Sequence, residues 1–149
     1  MTIAECLSVD RVTFLSASTK HEALSDLIDL LSASDAVKDR HALTQAIWKR
    51  EEMMSTGIGM GIAVPHVRIK GVNRLVLALG VHCEGLSDYA SIDNKPVHLV
   101  AMIAAGEEQH EEYIRMLAQV VETLKDEKRR EAILQAETPE QVHAIVAGA

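Results

Sequence analysis

The sequence predicts a layered α/β domain whose sheet is sandwiched between helices. Helical periodicity occupies both ends of the chain, and two nearly uninterrupted apolar runs, Leu75–Val81 and Val97–Ala105, occupy the middle. Only seven charged residues fall between Gly57 and Gly106. Strands that are apolar on both faces belong inside a sheet covered on both sides, and the flanking helices supply that cover. A chain of 149 residues has the size of one domain with a real core. No repeat and no linker rich in proline, glycine or serine divides it, so residues 1–149 are read as a single unit.

From the N-terminus, Arg11–Ala17 predicts a short strand in which Val12 and Phe14 alternate with polar neighbours. Ser18 or Thr19 caps a helix whose stripe is Ala23, Leu24, Leu27, Ile28, Leu30 and Leu31. A second helix is expected from near Asp39 through Leu43, Ala46 and Ile47 to about Met54, with Arg50 in its last turns. Ile92-Asp-Asn-Lys-Pro96 supplies turn residues before the second apolar run. The helix expected from Glu107 to about Lys125 places Ile114, Leu117, Ala118, Val121 and Leu124 on one face, with acidic residues in its first turn. A short helix follows around Arg130 to Gln135. Thr138-Pro139 then gives an N-cap and an N1 proline for a last helix through Val142 and Ile145.

Composition narrows the function. With 48% hydrophobic and 25% charged residues the chain is an ordinary globular one, not a disordered or fibrous one. The formal net charge is -7. Its densest basic stretch, Lys125–Arg130, is interrupted by Asp126 and Glu127 and reads as a solvated helix face, so no nucleic-acid partner is expected. Cys6 and Cys83 lie far apart and predict free thiols in a reducing compartment. No signal peptide is visible and no run of about 18 apolar residues occurs, so a cytoplasmic protein without membrane insertion is expected. The histidines show no HxH, HxxH or HExxH spacing and no Walker A sequence is present. Neither a metal nor an organic cofactor is expected. His21, His41 and His143 are read as exposed on helices, and His82 and His98 as satisfied interior or strand-end residues.

The chemistry concentrates in Ser55-Thr-Gly-Ile-Gly-Met-Gly-Ile-Ala-Val-Pro-His66. Gly57, Gly59 and Gly61 let the backbone turn sharply or approach a ligand. Ile62–Val64 reads as a short buried strand that should stop at Pro65, which cannot donate to a ladder. His66 is thus delivered at a strand end beside a glycine-rich bend. A neutral imidazole there can attack a phosphoryl group if one nitrogen is exposed and the other is held. Such a group needs donors around it. Ser55, Thr56 and the amides of Gly57 and Gly59 are candidates, and Arg50 can supply a guanidinium. Glu51 beside it would by itself make a solvent ion pair.

The stretch Arg50-Glu51-x-x-x-Ser55-Thr-Gly-Ile-Gly-x-Gly-Ile-Ala-Val-Pro-His66 resembles the signature of the type-2 IIA domains of the bacterial phosphoenolpyruvate-dependent phosphotransferase system (PTS). This family includes the fructose, mannitol and nitrogen-regulatory IIA proteins. The likeness continues through Ile92-Asp-Asn-Lys-Pro-Val97 and Leu117-Ala118 to Thr138-Pro-Glu-Gln-Val142. It implies a mixed sheet flanked by helices on both faces. It also implies that His66 accepts phosphate from an HPr-like phosphocarrier protein and passes it to a IIB protein or a regulatory target, with Arg50 contacting the phosphate.

One departure stands out. The family usually places a second histidine at the start of the long helix, where Tyr113-Ile-Arg-Met-Leu-Ala118 here has Tyr113. His110 lies three residues earlier, about one turn nearer the helix N-terminus. Three alternatives are open: His110 reaches the site, Tyr113 donates in the histidine's place, or the support is lost and transfer is impaired. With no IIB or membrane sequence among these residues, a regulatory, nitrogen-PTS-like phosphocarrier is the leading expectation. A fructose/mannitol-type uptake component and a phosphorylation-impaired binding module are the alternatives.

Overall fold

A computed structural model of the chain describes residues 2–148. Met1 and Ala149, the ends of the expected domain, lie outside the described residues. The elements are α1 (Ile3–Cys6), a 3-10 turn (Val9–Arg11), β1 (Val12–Phe14), α2 (Lys20–Ser32), α3 (Arg40–Met53), β2 (Gly57–Gly59), β3 (Ile62–Ala63), β4 (His66–Ile69), β5 (Val76–Leu86), β6 (Val97–Gly106), α4 (His110–Leu124), α5 (Glu127–Gln135) and α6 (Pro139–Ala147).

The sheet is mixed. Its order is β1-β5-β6-β3-β2, with β4 also pairing β6. The long antiparallel pair β5·β6 forms its spine, while β1 joins β5 and both β3 and β4 join β6 in parallel. One face packs against α2 and α3, through Leu24, Leu27, Ile28, Leu31, Leu43 and Ile47. The other packs against α1, α4, α5 and α6, through residues such as Met116, Val120, Ile133 and Val142. Each fully buried aliphatic side chain of these layers contributes about 1.5–3 kcal/mol relative to exposure. The central strands β5 and β6 are buried on both faces, as their unbroken apolar runs require.

The caps follow the sequence closely. Thr19 accepts from the Glu22 amide, Asp39 from Ala42 and Thr138 from Gln141, with Pro139 in the first turn of α6. The expected strand Arg11–Ala17 is shorter: its first residue closes the 3-10 turn, and the strand ends at Phe14, with the Leu15 amide still donating to the Val81 carbonyl. The helix expected from about Arg130 begins at Glu127, since Asp126 accepts from the amides of Lys128 and Arg129.

The face of α4 also differs from expectation. Its buried row is Met116, Val120, Thr123 and Leu124. Leu117 and Val121 instead line a groove beside the sheet, Ala118 is exposed, and Ile114 is 49% exposed. Leu124 is buried as expected, and Leu117 and Val121 pack at the margin of the core, so the inward row is rotated towards Met116 and Val120 from the one periodicity gives. The basic stretch beyond it is not merely solvated: Arg129 and Arg130 donate to the last carbonyls of α4, including Thr123 O and Leu124 O. Positive charge there complements the helix C-terminus.

As the sequence predicts, β3 stops before Pro65, at Ala63, but a new strand, β4, opens at His66 and keeps the same register on β6. Ile62 faces Leu99 and His66 faces Ile103, the same register step on both strands. Pro65 contributes its carbonyl, which accepts from the Ile103 amide at 2.9 Å. His66 therefore opens β4 rather than hanging from the end of β3. Its imidazole stands on backbone anchored to the central strand.

Candidate functional site

Three segments of the chain converge on His66. The end of α3 brings Arg50, β3–β4 bring His66 itself, and α4 brings Tyr113, Leu117 and Val121. The imidazole is partly buried. Its Nδ1 lies 2.6 Å from the carbonyl oxygen of Val64. A carbonyl only accepts, so Nδ1 donates and the neutral ring keeps its lone pair on Nε2. The arrangement is the one a nucleophilic imidazole requires: one nitrogen fixed by the backbone, the other basic.

Two concavities meet at this ring. The first, of about 460 Å³, is an apolar groove lined by Met54, Ile58, Val64, Ile92, Leu117 and Val121 among others. The second, of about 350 Å³, is lined by Lys49, Arg68 and Tyr113 together with apolar neighbours. Arg50 and His66 line both. No carboxylate side chain lines either one. The surroundings of His66 thus carry cations, hydroxyls and apolar groups but no carboxylate, in a chain whose net charge is -7, which suits a reacting anion.

The structure sorts the candidate residues. Arg50 lines both concavities with His66, and its Nη1 donates to the Met54 carbonyl at 2.9 Å, which leaves its other N–H groups for a ligand. The rings of Tyr113 and His66 have their centroids 5.8 Å apart at a tilt of 49°. Burial pushes the Tyr113 hydroxyl up to about 12, against the opposing pull of Arg50 and Arg68. The phenol thus keeps its proton at neutral pH and can donate. His110 is exposed on the first turn of α4 and lines neither concavity. Of the alternatives open in the sequence, the geometry brings Tyr113 to His66 and leaves His110 outside.

Ser55, Thr56, Gly57 and Gly59 line or border the groove, but most of their polar groups are engaged. Ser55 Oγ donates to the Ala90 carbonyl at 2.6 Å. The Thr56 hydroxyl lies 2.7 Å from both Glu51 Oε2 and the Tyr89 hydroxyl, so it donates to the carboxylate and accepts from the phenol. The Gly59 amide donates to Ser91 Oγ at 3.0 Å. The Gly57 amide has only a long contact, 3.5 Å, to Ser55 Oγ.

Glu51 is buried against α2 rather than standing in solvent. Its side chain is 3% exposed and pairs with Lys20 Nζ at 3.0 Å, and Lys20 in turn lies 4.4 Å from the centre of the Tyr89 ring. This network of Lys20, Glu51, Thr56 and Tyr89 braces the groove from behind. Burial and the Glu51 charge push the Tyr89 hydroxyl well above its ordinary range, so it stays a donor.

Residues distant in sequence complete the groove wall. Segment 88–96 folds over β2, with Asp93 accepting from the amides of Met60 and Lys95. These two bonds hold the Asp93 carboxyl below its usual range. Met60 and Gly61, with φ of 60° and 75°, form the tight connection between β2 and β3, where Gly61 suits the left-handed region.

Gly57 has a steric reason to be glycine: a Cβ there would lie 2.3 Å from the Ala90 carbonyl oxygen. Gly57→Ala is accordingly expected to push segment 88–96 outward and destabilise the protein by about 1–3 kcal/mol, an overpacking cost read in urea denaturation. A variant as stable as the wild type would show that the wall yields freely.

Of the other histidines, His21 and His41 are exposed as expected, and three play structural parts. His82 Nε2 donates to the Ala17 carbonyl and its Nδ1 accepts from the Gly85 amide, while His98 Nδ1 donates to the His82 carbonyl. His143, expected to be exposed, is partly buried and its Nε2 donates to the Leu7 carbonyl, tying α6 to the N-terminal segment. Among the described residues, no three His, Cys, Asp or Glu side chains gather in a way that could hold a metal ion. No helix among them is long and apolar enough to cross a membrane.

Comparison with known proteins places the chain in a family. Residues 5–148 match the family described as "Phosphoenolpyruvate-dependent sugar phosphotransferase system, EIIA 2". The chain belongs to this PTS IIA family.

Among relatives of this IIA domain is the PTS system fructose-specific EIIABC component of Bacillus subtilis, 33% identical over 147 residues. The match covers 98% of this chain but 23% of that protein's length. Among solved structures, the nitrogen regulatory protein IIA-Ntr from Neisseria meningitidis superposes with a TM-score of 0.87 at 25% identity, covering 97% of this chain and 98% of the other. The complex of enzyme IIAMtl with phosphorylated IIBMtl from Escherichia coli gives a TM-score of 0.77 at 24% identity, covering 95% and 97%. The mixed, doubly covered sheet expected from the resemblance is thus the fold of solved IIA proteins.

Proposed function

We propose that His66 accepts a phosphoryl group from an HPr-like phosphocarrier protein and passes it to an acceptor protein. The observation that carries this reading is that His66 and Arg50 stand at the junction of an apolar groove and a basic concavity. Nε2 attacks phosphorus with its lone pair, and the bond from phosphorus to the donor breaks, its electron pair leaving with the donor. Nδ1 keeps its proton and its bond to Val64, so the ring changes neither tautomer nor orientation. Arg50 offsets the charge on the equatorial oxygens. Positioning and electrostatics suffice for this chemistry, so the proposal invokes no metal or organic cofactor.

The surroundings favour a protein as partner. Met54 and Ile92 on the groove are 70% and 80% exposed, and Met53 at the edge of the basic concavity is 74% exposed. Adaptable methionines and an isoleucine left in water beside a reactive group suit a docking rim that is covered in a complex. The acceptor is a IIB protein in the sugar-uptake reading, which the likeness to the fructose-specific relative favours. It is a regulatory target in the nitrogen-PTS reading, which the closer superposition on IIA-Ntr favours.

The test is phosphoryl transfer from labelled phosphoenolpyruvate through enzyme I and HPr. Wild type is expected to take up an acid-labile, base-stable label that His66→Ala lacks. Equal labelling of the two would overturn the proposal. Chasing the label into a fructose-type IIB protein separates the uptake role from the regulatory one.

A further inference from the structure

Resting on the reading of His66 as a phosphoryl carrier, we infer that the basic concavity is a phosphate-dianion pocket in which Arg68 is a further ligand of the group on His66. His66 and Arg68 are two positions apart on β4, and the residue between them, Val67, is buried. Side chains two apart on a strand leave it on the same face, so imidazole and guanidinium project together. Both line the concavity with Lys49, Arg50 and Tyr113. Three cations without a lining carboxylate gather there in a chain of net charge -7.

Arg68 is held for this task. Its Nη1 donates to the carbonyl of Glu107, in the segment leading into α4. That bond occupies one of five guanidinium N–H groups and leaves the others for an anion. The same bond ties β4 to the helix that carries Tyr113 over His66. Arg68 also acts electrostatically on Tyr113, opposing the effect of burial on its hydroxyl. A phosphoryl group on nitrogen is close to a dianion, and Arg50 alone offsets one charge. Arg68 supplies the second, with the Tyr113 hydroxyl as a neutral donor beside it. The Thr56 hydroxyl and the Gly59 amide are already engaged, so they do not compete for the role.

The dianion can be covalently held on His66 or be free inorganic phosphate, and two measurements distinguish these sources. Inorganic phosphate titrated into the whole chain is expected to shift the amide resonances of Lys49, Arg68 and Tyr113 saturably, in wild type and in His66→Ala alike. At a fixed ratio of phosphorylated HPr, Arg68→Gln is expected to lower His66 occupancy about tenfold, the loss of one charge-assisted hydrogen bond. Arg68→Lys should recover part of it. The deficit of the Gln variant should shrink as salt rises, which loss of the tie to Glu107 alone would not produce.

If wild type is labelled but Arg68→Gln reaches the same occupancy and phosphate shifts nothing, the pocket is overturned while the carrier stands. If wild type takes up no label yet phosphate binds through Arg68, the carrier reading fails, and with it the assignment of Arg68 to a covalent phosphoryl group.

Discussion

Arg50→Ala is expected to slow phosphoryl acceptance by His66 about a hundredfold or more while leaving the fold intact apart from the last turn of α3. Removing one preorganised donor from a developing oxyanion costs on that order in rate, and Arg50 lines both concavities that meet at the ring. Its bond to the Met54 carbonyl sets the orientation of the planar fork before any ligand arrives. The same bond closes the end of α3, so alanine will also fray the last turn. Arg50→Lys separates the two effects. Lysine keeps a positive charge but not the fork, and a rate between wild type and alanine is expected from single-turnover transfer. Wild-type transfer by Arg50→Ala would mean that the ring needs no cation on this side.

The second large effect lies behind the site. Glu51→Ala is expected to destabilise the protein by about 3 kcal/mol, the scale for removing one partner of a buried ion pair. The carboxylate is 3% exposed, whereas Lys20 is 20% exposed, so part of the stranded lysine's cost is recovered by water. Thr56 and, through it, the Tyr89 hydroxyl lose an anchor as well. These groups join α2, α3, β2 and the segment that closes the groove. The loss should therefore reach transfer as well as stability. A shift in urea midpoint at constant slope, together with slower labelling, is the expected outcome. An unchanged midpoint would mean that the network contributes nothing.

How much of this could be read from the sequence depended on whether the signal was local. Thr19, Asp39 and Thr138 announced their helices because capping needs only neighbouring residues. The two apolar runs announced β5 and β6 because burial on both faces leaves no polar alternation. His66 and Arg50 stood out through the motif that surrounds them.

What the sequence concealed is non-local. Glu51 looked like a surface partner of Arg50, and only the packing of α2 against α3 brings Lys20 to it. The wall made by Ala90, Ser91 and Ile92 depends on a contact across more than thirty positions, for which the lack of a side chain on Gly57 was the sole local hint. Arg68 carries no local signal, because it lies on a separate strand that resumes after the break at Pro65. Proline removes a donor but leaves φ compatible with an extended chain, and the unchanged register across it puts Arg68 on the face of His66. The inward row of α4 was displaced because two sets of apolar residues, one for the core and one for the groove, share that helix.

Nitrogen-resolved NMR of the phosphorylated chain tests the assignment of the reactive atom most directly. With Nδ1 held by the Val64 carbonyl, phosphorus is predicted to couple to Nε2 of His66 while the Nδ1 proton stays visible and slow to exchange. Phosphorus on Nδ1, or on any other side chain, would contradict the account.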